Sequence, residues 1–310
     1  MVVPKYDIDI RESLLRRRGR LLDILLIDRT TKKNIIWATD SYERSDEKRF
    51  NRDKRIKPEL VTGPFRLLIQ PRAAKSLEEQ RKRTKEKGEV FTPLDIVDRM
   101  NKTAEKIPLT KVNKRNWQEY VREIKLEITC GEAPFIVSRY NPTAHGVLID
   151  LAGRVGFLDR KLKVVSRYCD TKSEWLFWAK EAFKASYGYE WQGDNVLLAR
   201  ENLLYTFIDY YEAKFSRRPT TKMQEDFAEI ISWNIFQMDG LRYVVPMSCH
   251  HENKVIPGIA TLFEVIPERV EKYECEGCKY NRPHKHNGTY VKIMDWEKKK
   301  PVRFVDLIAS

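Results

Sequence analysis

Hydrophobic and polar positions follow two different patterns along the chain. Leu21 to Ile27 and Asn34 to Ala38 are apolar segments separated by polar residues, a pattern typical of a β-hairpin. From about Lys87 onward, short β-prone segments alternate with longer segments of helical spacing. This alternation predicts a sheet covered by helices.

The alternating region opens with a helix start and a strand. Thr92-Pro93 combines a hydroxyl that can cap a helix with a proline suited to its first turn. The segment from Ile124 to Thr129 is short and β-prone, and it runs into a tight turn at Cys130-Gly131. We expect Pro134 to start the helix that follows.

Two further strands and three helices are predicted beyond this turn. They are a helix from Ser173 that ends at Gly188, a strand over residues 189–191, a helix from Asp194 or Asn195 through Ile208, and a helix over residues 221–232 leading into a strand at NIFQMDGL. Two strand-turn-helix units and a third strand make half of a nucleotide-binding sheet. We therefore predict a basic module over residues 1–85, an α/β domain over 86–245 and a Cys/His-containing segment over 246–310.

Charge points to a polyanionic partner. The 310 residues include 58 basic and 45 acidic ones, a surplus of +13 that favours nucleic acid. Basic residues concentrate at 16–20, 48–55 and 75–87, where they serve either phosphate contact or a solvated helix face. No secretory signal and no apolar run of membrane-spanning length occurs, so we expect a cytoplasmic protein without a membrane.

Three motifs in a fixed order carry a family resemblance. GEVFTP (residues 88–93), LEITCGEAPFIVSRY (126–140) and YGYEWQGDNVLLARENLL (187–204) succeed one another. Together they resemble the adenine-specific DNA methyltransferases of restriction-modification systems, the restriction enzyme M subunits. The likeness runs from the early LLIDRTTKKNIIWATDSYE to the terminal RFVDL. It implies a Rossmann-like sheet with helices on both faces that binds S-adenosylmethionine, with double-stranded DNA and a second methyltransferase or restriction subunit as partners.

The resemblance and the chemistry of the turns together suggest a cofactor site. A helix start and a glycine turn suit the carboxylate and the close approach of the cofactor, and an acidic residue after the second strand can accept both ribose hydroxyls. Trp191 is expected to stack on the adenine, and Asp239 matches the residue that faces the adenine amino group. The expected cofactor-binding residues are Phe91, Thr92, Pro93, Glu127, Cys130, Gly131, Glu190, Trp191 and Asp239.

The chain departs from the family at two places, and the second departure puts catalysis in doubt. Ala133 stands where the family's motif usually has a second glycine, and no (D/N/S)PP(Y/F) tetrapeptide occurs anywhere in the chain. Methyl transfer to adenine needs that segment to hold the flipped base. Three functions stay open: a methyltransferase subunit completed by a partner chain, a non-catalytic DNA-binding or assembly subunit, and an RNA methyltransferase.

Cysteine and histidine spacing predicts a metal site in the last segment. Cys275 and Cys278 form a C-x2-C pair, and Cys249 lies upstream. Three thiolates and one imidazole are a ligand set of structural zinc. His284 and His286 cannot be told apart from sequence; we take His284 as the fourth ligand and keep His286 as the alternative. The other reading of this pattern is a set of free thiols beside a polar loop.

Overall fold

A three-stranded parallel sheet flanked by helices lies at the centre of the fold. The computed structural model describes residues 16, 19–43, 46–90, 92–141, 147–260 and 265–308. Over these ranges the chain forms a mixed α/β structure of ten α-helices and several small sheets. Among those helices, none combines the length and the apolar character needed to cross a membrane.

The elements have the following bounds. The helices are α1 (Arg20–Leu26), α2 (Glu47–Phe50), α3 (Leu77–Lys87), α4 (Leu94–Thr103), α5 (Trp117–Arg122), α6 (Phe157–Tyr168), α7 (Lys172–Lys184), α8 (Gly193–Phe215), α9 (Thr221–Asn234) and α10 (Glu276–Tyr280). The strands are β1 (Ile27–Asp28), β2 (Lys33–Asn34), β3 (Lys125–Glu127), β4 (Ser186–Glu190), β5 (Ile235–Gln237), β6 (Glu252–Ile256), β7 (Ile259–Ala260), β8 (Val265–Ile266), β9 (Arg269–Tyr273), β10 (Lys292–Asp295) and β11 (Lys300–Arg303).

The central sheet has the order β3–β4–β5, and its strands are parallel. Lys125 pairs with Ser186, and Glu190 pairs with Gln237. Because neighbouring parallel strands need a long crossover, α6 and α7 connect β3 to β4, and α8 and α9 connect β4 to β5. The carboxyl ends of β3 and β4 therefore meet at one end of the sheet.

Helix α8 lies in the middle of the core. It is buried on all sides from Gly193 through Ile208, so its sequence shows no single apolar stripe. Its buried charges have partners: both oxygens of Glu201 accept from Arg16 at 2.8 Å, and Arg200 donates to the carbonyl of Leu25 at 2.6 Å. Arg16, counted among the basic surface residues in the sequence, thus stabilises the fold.

The apolar segment that begins at Leu21 is a helix, so the predicted β-hairpin is confirmed only around its turn. In this part of the chain the two-residue strands β1 and β2 pair in antiparallel fashion. Leu22, Leu25 and Leu26 have helical spacing and are buried in the core, where α1 packs against α9. A short apolar run fits both periods, and tertiary packing decided between them.

The segment after β2 is tied to the central sheet. The N–H of Gly193 donates to the carbonyl of Trp37 at 2.9 Å, and the side chain of Gln237 bonds both backbone groups of Ile36. A Cβ on Gly193 would lie 2.0 Å from the Ile36 oxygen, so only glycine fits here. The main core cluster extends from Leu22 to Ile235 and crosses the boundary predicted after residue 85.

Most predicted elements of the α/β region are confirmed. The strand expected from Ile124 is β3, the helices expected after residue 193 are α8 and α9, and the segment NIFQ contains β5. Helix α7 also matches, although Thr171 caps it, accepting from the N–H of Glu174 at 3.3 Å, and not Ser173.

Three predicted boundaries are wrong for local reasons. Gly188 lies inside β4 and does not end α7; a Cβ there would lie 2.9 Å from the Ile136 side chain, so packing demands the glycine. Pro134 lies in an irregular turn, and the next helix begins only at α6. Thr92 does not cap α4, because Pro93 occupies the N-cap position.

The last part of the chain divides into a covering hairpin and an exposed ribbon. Val291, which precedes β10, and Ile293 within it pack on Tyr187, Tyr189 and Phe236 of the central sheet. Strands β6 and β9 form a two-stranded ribbon whose residues are mostly exposed. This ribbon begins shortly after Cys249 and ends shortly before Cys275.

Candidate functional site

A cavity of about 640 Å³ opens where the carboxyl ends of β3 and β4 meet. Its size is within the range of small-molecule sites, and this end of a parallel sheet is where such sites form. Six of the residues expected to bind a cofactor line it: Thr92, Glu127, Cys130, Gly131, Glu190 and Trp191. Segments distant in sequence thus converge on one space.

Glu190 ties together the two turns that form the cavity wall. One carboxylate oxygen accepts from the N–H groups of Trp191 (2.9 Å) and Gln192 (3.1 Å), and the other accepts from Gly131 (2.9 Å). Burial raises the pKa of Glu190, and the three N–H bonds oppose this rise. A carboxylate has about four acceptor positions, so one remains for a ligand.

The turn after β3 is held in an unusual backbone conformation. Thr129 and Gly131 both have positive φ, 45° and 53°, and a Cβ on Gly131 would meet no atom of the described residues within 4 Å. Glu127 accepts from the N–H groups of Phe135 (3.3 Å) and Ile136 (3.0 Å), which fastens the far side of the turn to β3. Burial raises the pKa of Glu127 well above its usual value. The carboxylates of Glu127 and Glu190, at the ends of β3 and β4, therefore both shape the cavity wall.

Sequence reasoning missed a polar network in the same wall. Glu89 accepts a forked pair of bonds from Arg83 and single bonds at 3.2 Å from the side-chain amides of Gln192 and Asn195. Arg83 also donates to Asp194 at 2.8 Å. Two features of the sequence could have indicated this network: the glutamate within the GEVFTP motif and the polar run QGDN.

Gln192 supplies a buried acceptor at the cavity. No donor among the described residues bonds its side-chain oxygen, while its side-chain nitrogen donates to Glu89. A buried acceptor without a donor costs about 1–3 kcal/mol. A ligand donor in the cavity would remove this cost.

Trp191 borders the cavity, and a hydrogen bond holds one edge of its ring. Its indole N–H donates to the carbonyl of Ala38 at 2.9 Å, and its ring is half-buried. Pro93 lies beside the cavity-lining Thr92 but is not itself among the lining residues. Phe91 falls outside the residues that the structure describes.

Asp239 is not brought to this cavity. Its carboxylate accepts from the N–H groups of Leu241 (3.0 Å) and Arg242 (3.2 Å) and closes the turn after β5. Its negative charge opposes the lowering of the His286 pKa. Asp239 follows the three-residue strand β5 and is not among the residues that line the cavity, so its contact with an adenine stays a prediction.

A second candidate site is a cluster of three cysteines and one histidine. Cys249, Cys275, Cys278 and His286 bring their ligand atoms within 4.8 Å of one another. The Nδ1 atom of His286 lies 3.6, 3.7 and 3.6 Å from the three sulfur atoms. Tetrahedral zinc with its usual bond lengths gives a sulfur-to-nitrogen separation of about 3.6 Å. The cluster could therefore hold a metal such as zinc.

Local structure holds these ligands in place. Cys275 is the N-cap of the short helix α10, which contains Cys278, and the N–H of Asn287 donates to the Cys275 sulfur at 3.3 Å. A Cβ on Gly277 would lie 2.6 Å from the His286 ring, and one on Gly288 would lie 2.9 Å from the Cys249 sulfur. Both glycines are needed for the close approach.

The structure brings His286, and not His284, to the thiols. His286 is buried, whereas His284 is exposed in the 3-10 turn Pro283–Lys285. Burial lowers the pKa of His286, and neighbouring Arg242 lowers it further. The imidazole is therefore neutral near pH 7, the form that binds metal ions.

The basic residues of the early runs have divided roles. Arg16 and Arg83 are buried in ion pairs with Glu201 and with Glu89 and Asp194. Most of the others are exposed, and these include Arg20, Lys48, Arg49, Arg52, Lys54, Arg81, Lys82 and Lys85. Among the basic residues that the structure describes in these runs, this exposed set is available to phosphates.

No family model, no curated protein and no solved structure matches this chain. What the two sites can bind therefore follows from their own geometry and charge.

Proposed function

We propose that this chain is the S-adenosylmethionine-binding and DNA-binding subunit of an adenine-specific DNA methyltransferase in a restriction-modification or phage-defence system. The observation that carries the proposal is the cavity at the ends of β3 and β4, which has the Cys130-Gly131 turn on one side and Glu190 on the other. Rossmann-like sheets bind nucleosides at this place, with an acidic side chain on the ribose.

The charge of the cavity favours a cationic ligand over a phosphorylated one. Polyphosphate sites use basic side chains and free helix amides, whereas S-adenosylmethionine carries an ammonium and a sulfonium group. The lining includes five acidic side chains, of which Glu89 is paired with Arg83, and one guanidinium: Asp40, Glu89, Glu127, Glu132 and Glu190 against Arg52.

The residues present fit such a cofactor in part. The remaining acceptor position of Glu190 suits one ribose hydroxyl, and the side-chain oxygen of Gln192 offers a second acceptor. The open space above Gly131 admits a ligand close to the backbone. When bound, the cofactor supplies the methyl group; the residues of this chain bind and orient it.

A non-catalytic DNA-binding or assembly subunit is the second candidate. In the family that this chain resembles, the (D/N/S)PP(Y/F) tetrapeptide holds the adenine amino group. The sequence lacks this tetrapeptide, and the lack favours a subunit without catalytic activity. The surplus charge of +13 and the exposed basic residues support DNA binding under both candidates.

Calorimetry and methyl incorporation on one preparation separate these candidates. We expect S-adenosylmethionine to bind and ATP, an anionic control, not to bind. Transfer of labelled methyl groups to duplex DNA would support the methyltransferase, binding without transfer would support the assembly subunit, and transfer to RNA alone would replace DNA as the substrate. Absence of cofactor binding would refute the proposal.

Glu190→Ala tests the ribose contact. Loss of one charged acceptor removes about 1.5–3 kcal/mol, so we expect affinity to fall about 10- to 100-fold. Glu119→Ala, at an exposed carboxylate on α5, is the matched control. Circular dichroism verifies that each variant is folded, and an unchanged affinity in folded Glu190→Ala would exclude the ribose role.

A further inference from the structure

The start of helix α8 differs from the helix starts that bind phosphates. Such sites use N–H groups that have no partner within the protein. Here the N–H of Gly193 donates to the carbonyl of Trp37 at 2.9 Å, and the N–H of Asn195 donates to the side chain of Asp194 at 3.0 Å. Two of the first three N–H groups of α8 are therefore already bonded within the chain.

Two amide side chains at this helix start line the cavity. Gln192 is the N-cap of α8, and Asn195 lies in its first turn. Their side-chain nitrogen atoms both donate to one carboxylate oxygen of Glu89, each at 3.2 Å. Because the oxygen and nitrogen atoms of an amide lie on opposite sides of its carbon, both amide oxygens are directed away from Glu89.

Glu89 fixes this orientation of the amides. Its other carboxylate oxygen accepts from the Nε atom of Arg83 at 2.8 Å, and the two side chains of this ion pair are only 8% and 5% exposed. An ionised carboxylate accepts hydrogen bonds and donates none. An amide oxygen turned toward Glu89 would therefore face another acceptor. The Glu89 carboxylate thus leaves the amide oxygens, and not the nitrogens, available to a ligand.

We propose that Gln192 is a specificity-determining residue for the ribose diol of the cofactor, and that Glu89 is the positioning residue that orients its amide; this inference rests on the proposed function. Glu190 has one acceptor position left for the first hydroxyl. The Gln192 oxygen, for which the described residues supply no donor, accepts from the second hydroxyl.

The two acceptors belong to the same part of the wall, because the Glu190 carboxylate itself accepts from the N–H of Gln192 at 3.1 Å. A ribose diol carries two neighbouring donors, whereas an ionised phosphate or carboxylate carries none. A site whose buried acceptors need donors rejects ligands that lack them. The wall therefore selects a ligand with both hydroxyls.

A cycle of ligands and variants tests the Gln192 contact. The ligands are S-adenosylmethionine and its 2′-deoxy and 3′-deoxy analogues, and calorimetry on the full chain measures their binding. Gln192→Met keeps the length of the side chain and removes its oxygen. We expect S-adenosylmethionine to bind about 3- to 10-fold more weakly, as for one uncharged hydrogen bond. Binding of one deoxy analogue should not change, because that analogue already lacks the partner hydroxyl.

The control and the contrary outcomes are as follows. Gln224→Met, at a half-buried glutamine of α9 that does not line the cavity, is the matched control and should leave all three affinities unchanged. An equal loss for all three ligands in Gln192→Met, or no loss for S-adenosylmethionine, would overturn the Gln192 contact while the proposed function stands. Failure of the wild-type protein to bind S-adenosylmethionine would overturn both.

The ratio of two affinities tests the role of Glu89. The ligands compared are S-adenosylmethionine and the deoxy analogue whose binding Gln192→Met leaves unchanged. Glu89→Ala frees the amide to rotate, so the preference for S-adenosylmethionine should fall about threefold or more. Glu89→Gln keeps an oxygen that accepts from the amides and should restore the preference.

A purely structural role of Glu89 would lower both affinities together and leave their ratio unchanged. Circular dichroism verifies that each variant is folded. An unchanged ratio in folded Glu89→Ala, or a reduced ratio that Glu89→Gln does not restore, would overturn the positioning role.

Discussion

Replacing His286 separates the two histidines that the sequence left open. The His286 ring nitrogen lies 3.6 to 3.7 Å from all three sulfur atoms, whereas His284 is exposed and outside the cluster. His286→Ala removes one of four ligands, and His284→Ala removes none. We therefore expect only the first substitution to weaken metal binding.

The expected loss follows from the number of ligands. Structural zinc sites with four protein ligands bind with about 10–16 kcal/mol, and an equal share per ligand is about 2.5–4 kcal/mol. Since each 1.4 kcal/mol is a factor of about ten, His286→Ala should weaken zinc binding on the order of 100- to 1,000-fold. The loss of a neutral ligand leaves three thiolates that still bind weakly.

Competition with a chromophoric zinc chelator measures this change, and elemental analysis of each purified variant measures the zinc content. Wild type and His284→Ala should carry one zinc ion per chain, and His286→Ala should lose it to the chelator. Equal affinities in both variants, or a loss confined to His284→Ala, would refute the ligand assignment. Negligible zinc in wild type and in Cys275→Ser alike would remove the metal itself.

Two further predictions concern the fold. Gly193→Ala forces a Cβ to within 2.0 Å of the Ile36 oxygen, so urea unfolding should show a loss of about 1–3 kcal/mol, and an unchanged midpoint would contradict the close approach. Burial lowers the pKa of Lys161 in the folded protein to about 7. Between pH 7 and about 10 the unfolded chain therefore binds one proton more than the folded protein, so the free energy of unfolding should rise with pH. Lys161→Met should remove this part of the rise, by at most about 1.4 kcal/mol per pH unit, and an unaltered slope in that variant would exclude Lys161 as its source.

Local patterns predicted the elements that place the cavity. The β-prone run before Cys130 and the glycine turn after it fixed where β3 ends, and the helix signals after Glu190 fixed the start of α8. These features depend on residues that are close together in the sequence, so they can be predicted from a single sequence. The cofactor role of the lining residues stays a prediction.

Contacts between distant residues could not be predicted in the same way. Glu89 accepts hydrogen bonds from Arg83 and from two side-chain amides that follow β4. The spacing of these residues in the sequence does not show that they are partners. The basic run around Arg16 gave no sign that this guanidinium is buried against Glu201. His284 and His286 are distinguished only by the turn between them, whose direction is set by tertiary packing.

The placement of Cys249 and Cys275 at the two ends of the β6–β9 ribbon has a consequence for how that ribbon unfolds. A metal ion bound by both residues would close the intervening chain into a ring and would remove loop-closure entropy from its opened forms. The ribbon should then detach as a single cooperative unit when metal is withdrawn. Amide hydrogen exchange would record this as faster exchange throughout β6 and β9 while α8 keeps its protection.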